Sequence, residues 1–224
     1  MTRLLPRSLR GIGLLAAALL LLAPASPARA QTAVARDDII ARLEKFEAEP
    51  ELDVAALKVQ VLERSKSRAK NEPPPQKRPP IAPDLNKLPV VNLDIQFDVD
   101  TPIVQPASYE TIGRLADAMV SSSLLPYTFL IVGHTESGGR RDNNVLLSQR
   151  RADAIRDILV NTFKIATKRL QSLGLGEEQL RDPARPNAPV NNQVQIMTIG
   201  KLPEQSEQPA AAAPAAKKPA KKKK

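Results

Sequence analysis

Apolar and polar positions alternate where the folded part of the chain begins. Val91, Leu93, Ile95 and Phe97 alternate with Asn92, Asp94, Gln96 and Asp98. A period of two predicts a strand with one wet face. Pro106 can start a helix in which Tyr109, Ile112, Leu115, Ala116 and Met119 form one stripe. Tyr127 to Val132, a β-branched and aromatic run after Pro126, predicts a second, central strand. A polar loop over 134–143 leads into a long helix over 144–162, and Leu170–Leu175 and Val194–Ile199 supply two short strands. The order βαβαββ predicts an α+β fold over residues 90–202, a two-layer sandwich with its helices on one face of the sheet.

Upstream the period changes to that of helices. Ile39, Ile40, Leu43 and Phe46 follow Asp37 and Asp38, and Val54, Leu57, Val61 and Leu62 follow Asp53. Pro50 separates the two runs, so residues 31–70 are expected to form a short helical arm on the surface, with a paired hairpin, docking elsewhere in the chain and partner binding as the arrangements left open. Residues 71–89 carry seven prolines and predict a stiff linker between arm and domain. Residues 203–224, rich in Ala, Pro, Gln and Lys, predict a disordered tail.

Composition changes this picture at the two ends. The chain has 224 residues, no Cys, one His and a formal net charge of +9. Removing the four arginines of residues 1–30 and the six lysines of residues 217–224 leaves −1. The middle is therefore not a basic domain, and nucleic acid is not an expected partner. The short basic stretch 1–10, the apolar stretch 11–23 and the Ala28-Arg29-Ala30 site predict a signal peptide over 1–30 with cleavage near Ala30, hence a periplasmic protein. No cofactor and no metal is expected, since there is no thiolate and no His cluster. The Lys tail is a candidate for holding anionic envelope surfaces, with salt screening the attraction.

The candidate chemistry lies in the loop from Gly133 to Asn144 and the helix after it. Loops at the carboxyl ends of strands are where α/β folds place ligands. At 100° per residue with Arg151 at zero, Leu147 falls at about −40°, Ile155 at about +40° and Ile158 at about −20°. Arg151 thus stands in the middle of the apolar stripe, where an unpaired guanidinium is costly. Glu136 is its candidate partner. Two arrangements satisfy this pattern. Either Glu136 and Arg151 form an ion pair that pins loop to helix, or they flank a pocket and divide a zwitterionic ligand between them.

Gly133-His134-Thr135-Glu136, Gly139, Asn144, Leu147-Ser148 and Arg151-Ala152 resemble the signature of OmpA-like peptidoglycan-binding domains, G-H-T-D-x-x-G-x-x-x-x-N-x-x-L-S-x-x-R-A, without a gap. Leu173-Gly174-Leu175-Gly176-Glu177 resembles the later G-x-G-E turn of that family. The resemblance covers about half of the chain and implies a non-enzymatic protein. By that resemblance, Arg151 would take the carboxylate and Glu136 the ammonium of diaminopimelate in peptidoglycan stem peptides. Thr135 and Asn144 complete the candidate ligand-binding set, and their expected part is to fix the loop and cap the helix, with Asn144 or Asn143 accepting from an orphan amide. Two positions depart from the pattern. Glu136 stands where the family has Asp, and Asn191-Asn192-Gln193-Val194 stands where its last strand begins N-R-R-V.

Other assignments compete. A module that keeps the fold and binds envelope proteins, through the helical arm for instance, would have Glu136 paired internally with Arg151. His134 with Ser148 is a poor nucleophile–base pair, because no fitting third member stands out. Glu136 with Asp142 is a formal candidate for glycoside cleavage, but nothing in the spacing requires it.

Overall fold

A computed structural model describes residues 34–47, 50, 52–67 and 73–202, which fall in one compact unit. The expected signal peptide and the Lys tail lie outside these residues. The sheet consists of β1 (Val90–Leu93), β2 (Tyr127–His134), β3 (Leu170–Gly176) and β4 (Val194–Lys201), in the order β1-β4-β2-β3. Strand β4 is antiparallel to both of its neighbours, whereas β2 and β3 are parallel. A parallel pair needs a crossover. That crossover is α4 (Arg141–Asn161), and α3 (Tyr109–Met119) joins β1 to β2.

The alternation along each strand sorts its side chains onto two faces. Val91, Leu93, Phe129, Ile131, Leu170, Val194 and Ile196 join one core with residues of α3 and α4. These are the two layers that the order of elements predicts. The first strand is shorter than its sequence pattern. Beyond Leu93 the chain leaves the sheet and returns as a small hairpin closed by a bridge between Phe97 and Val104.

The opposite face is not left to water. Leu130, Val132, Leu173, Leu175 and Met197 form a second core with Val54, Leu57 and Val61 of α2 (Val54–Lys66) and with Leu85 and Leu88. The shorter α1 (Arg36–Leu43) joins the first core through Ile39 and Leu43, and the Thr198 hydroxyl donates to the Leu43 carbonyl at 2.7 Å. Phe46 meets Tyr127 edge to face, with ring centroids 5.8 Å apart. The helical arm expected to stand apart is therefore docked, with α1 on one face of the sheet and α2 on the other. The physical reason is visible in the strands. Leu130, Val132, Leu173 and Leu175 make the second face apolar as well, and a fully buried Leu or Val contributes roughly 1.5–3 kcal/mol. The apolar stripes of both helices are thereby spent within the chain, and the proline-rich segment leads α2 back to β1.

Candidate functional site

The loop after β2 and the start of α4 are shaped by backbones in close approach. A Cβ on Gly133 would collide with the Ser148 carbonyl, and one on Gly174 with the backbone of Gln149. Glycine at both places lets α4 lie directly on β2 and β3. Ser148 and Gln149 use that proximity, accepting from the amides of Gly176 and Gly174, both at 2.8 Å. Ser148 also donates to the Val145 carbonyl, so its hydroxyl is structural and forms no pair with His134.

This contact rotates α4 from the orientation that its large apolar residues suggest. Its buried residues are Val145, Ser148, Ala152, Ile155 and Leu159. On the same 100° wheel they centre about 80° from Arg151. Arg151 is thus on the flank of the buried face, not in its middle. Ser148 and Ala152 flank Leu159 at the true centre, Ser148 lies where the helix meets Gly133, and a hydrophobicity pattern gives such small residues little weight.

The flanking position leaves Arg151 half-buried. Its Nε donates to the Thr101 carbonyl at 3.0 Å, and its guanidinium lies over the Phe97 ring, 4.9 Å from the centroid. Among the described residues no carboxylate lies within 4.0 Å of it, and its terminal NH2 groups make no hydrogen bond. Of the two arrangements open to Glu136 and Arg151, the internal ion pair is not formed among the described residues. Glu136 is near enough to act through its charge: burial lowers the Arg151 pKa, while Asp100 and then Glu136 draw it back up. Glu136 is held by its backbone alone, the amide donating to Asn192 Oδ1 at 3.2 Å and the carbonyl accepting from Asn144 at 3.4 Å.

Asn144 does fix the loop. Its side-chain amide donates to the Gly138 carbonyl at 2.7 Å and to Glu177 Oε2 at 2.9 Å. It does not cap the helix, because α4 begins three residues earlier and its N-cap, Arg140, makes no side-chain cap bond. Thr135 is 3% exposed. Its amide bonds Gly176, but its hydroxyl, like the Gln193 side-chain oxygen, is buried without a partner among the described residues.

His134 closes β2 from the second face. Nδ1 lies 3.0 Å from the Gln179 carbonyl and Nε2 lies 2.9 Å from Gln195 Oε1. Burial lowers its pKa to about 4 against the pull of those two bonds. Asp142, hydrogen-bonded by Arg140, is held down to about 2, which suits a permanent anion and not a proton donor. Ser148 and His134 thus bond to different partners, and Asp142 is taken by Arg140.

Five residues beside the site were given no part in it by the sequence pattern. The hairpin residues Phe97, Asp100 and Thr101 form the far wall beside Arg151. Asp100 sits at φ +56 in a turn that the Thr101 amide closes onto the Asp98 carbonyl. The acid-rich turn between strand and helix was the available signal. Glu177 was placed only in the G-x-G-E turn, with no role assigned, and Glu178 was visible only as the carboxylate after it.

Residues 96–194 match the model of the OmpA family. The chain carries an OmpA-like domain. Outer membrane porin F of Pseudomonas aeruginosa is 40% identical over 89 residues, which are 40% of this chain and 25% of the porin. A peptidoglycan-associated lipoprotein of Brucella melitensis is 31% identical over 85 residues, 38% of this chain and 49% of the lipoprotein. The chain thus spans between a quarter and a half of the length of these relatives. Among solved structures, the OmpA-like domain of FopA1 from Francisella tularensis aligns with 50% of this chain and 75% of its own, at 18% identity and a TM-score of 0.43.

Proposed function

We propose that the OmpA-like domain binds peptidoglycan non-covalently, in the periplasm, by gripping the zwitterionic end of diaminopimelate in the stem peptides. One observation carries this reading. Arg151 is anchored at Nε and by its stacked face, and its two NH2 groups are left unspent beside a Glu136 carboxylate that is also without a partner among the described residues. A fork held at its base and open at its tip is arranged for bidentate capture of a carboxylate. An ammonium on the same ligand carbon would complement Glu136 and Asp100. Lysine in that place would offer no second carboxylate, and leaving a half-buried guanidinium unpaired is the physical source of selectivity. The name of the Brucella relative, a peptidoglycan-associated lipoprotein, supports the same reading.

The test is co-sedimentation with sacculi of the diaminopimelate and lysine types at high salt, which screens any contribution from the Lys tail. Wild type pellets with the first, free diaminopimelate inhibits it, and Arg151→Ala reduces pelleting by at least about a hundredfold. Equal pelleting of the variant and wild type would overturn the assignment.

A further inference from the structure

The ligand loop is tied to a part of the chain outside the family-matched residues. Glu177 and Glu178 follow β3 directly, and both carboxylates are buried, at 6% and 0% side-chain exposure. Each is shared between the domain and the docked N-terminal segment. Glu177 accepts from Asn144 of α4 at 2.9 Å and from Arg78 Nη1 of the proline-rich segment at 2.8 Å. Glu178 holds Arg141, the first residue of α4, through Nε and Nη2, and lies 3.2 Å from Arg64 Nε at the end of α2. Arg78 is itself fixed by its Nε bond to the Pro73 carbonyl at 3.1 Å.

We infer that Arg78 is a positioning residue for the peptidoglycan loop, acting through Glu177 and Asn144 on the backbone that carries Glu136. The chain of contacts is continuous. Arg78 neutralises Glu177, Glu177 orients the Asn144 amide, and that amide holds the Gly138 and Glu136 carbonyls. Without Arg78, a nearly buried carboxylate loses its main counter-charge and must turn toward water. Asn144 then loses the acceptor that fixes its rotamer, and the loop loses its tie. The affinity side of this inference rests on the function proposed above; the loop-ordering side does not. The domain's affinity for the wall is on this account set partly by residues beyond the domain.

The experiment uses the full chain. Amide hydrogen exchange at Ser137 and Gly138, whose N–H groups bond the Pro186 and Glu136 carbonyls, is measured without ligand. Affinity for a diaminopimelate-containing muropeptide is measured in parallel. Arg78→Ala is expected to speed loop exchange and weaken binding, each by about tenfold, the scale of one lost charge-assisted bond. Arg78→Lys recovers part of both. Val61→Ala loosens α2 without touching Glu177 and leaves both readouts near wild type. Unchanged loop exchange in Arg78→Ala, or an equal effect from Val61→Ala, would overturn the inference. Absence of muropeptide binding by wild type would sink the wall-binding reading instead, with loop exchange still reporting on Arg78.

Discussion

Two arginines of this protein sit over phenylalanine rings and have their pKa lowered by burial, yet they differ in what is left over. Arg169 is 4% exposed and gives three of its N–H donors to backbone carbonyls. Nε donates to the Tyr127 carbonyl, and Nη2 to those of Met119 and Leu124 at 2.9 and 2.8 Å, above the Phe129 ring. It staples the start of β2 to the end of α3. Arg151 makes one such bond, through Nε, above Phe97. The same side chain is a structural bolt where carbonyls converge on it and a receptor where they do not. Counting charges near a buried arginine cannot separate these roles; accounting for its donors can.

The contrast is sharpest in stability. Arg169→Met should cost about 3 kcal/mol, because the buried Met119 and Leu124 carbonyls and the part-buried Tyr127 carbonyl lose a charged donor together. A urea titration showing a loss below about 1 kcal/mol would mean that the loop relaxes to water and that Arg169 is no bolt.

His134 is a third buried basic group, and here burial outweighs the two acceptors that face its ring. Its folded pKa is about 4, against 6.5 for the unfolded reference. The unfolded chain therefore takes up the proton first as pH falls. The stability contribution is fully present above pH 6.5 and is lost between about 6.5 and 4, to a total of about 3 kcal/mol. Below 4 both states carry the proton and the loss stops. His134→Gln should flatten the stability profile across that window, and a variant profile parallel to that of wild type would refute the burial argument.

Arg151→Ala is expected to change stability by less than about 1 kcal/mol while abolishing wall binding. A loss as large as that of Arg169→Met would erase the distinction between the two arginines. The smallest effect is reserved for Glu136→Asp. It should leave folding within about 0.5 kcal/mol of wild type and shift muropeptide affinity only a few-fold, since charge is kept and one methylene is removed. Binding that appears only in this variant would favour a protein-interaction module over a wall binder.

Much of the domain was legible from period alone. The four strands and two helices of residues 90–202 follow from alternation, the 3.6-residue stripe and punctuation by Pro106 and Pro126. The loop was legible because its residue types and spacing are unusual together. The docking of α1 and α2 was not. Pro50 and the seven prolines of 71–89 read as separators, and nothing local to the helices says that Leu130 and Leu173 need covering. The orientation of Arg151 was misread for a related reason. Hydrophobic size governs a sequence pattern, whereas close packing on Gly133 and Gly174 turns Ser148 and Gln149 toward the sheet.

By itself the sequence determined the order and type of the elements, the position of the polar loop, and the presence of Glu136 within it and of Arg151 on the helix that follows. Those depend on neighbours along the chain. Tertiary structure alone decided that Arg151 meets Thr101 and Phe97 and no carboxylate, that both faces of the sheet are covered, and that Arg78 and Arg64 reach the buried glutamates behind the loop. Each of these joins residues far apart in sequence, and their partners are chosen by where the packed backbones bring donors and acceptors within reach.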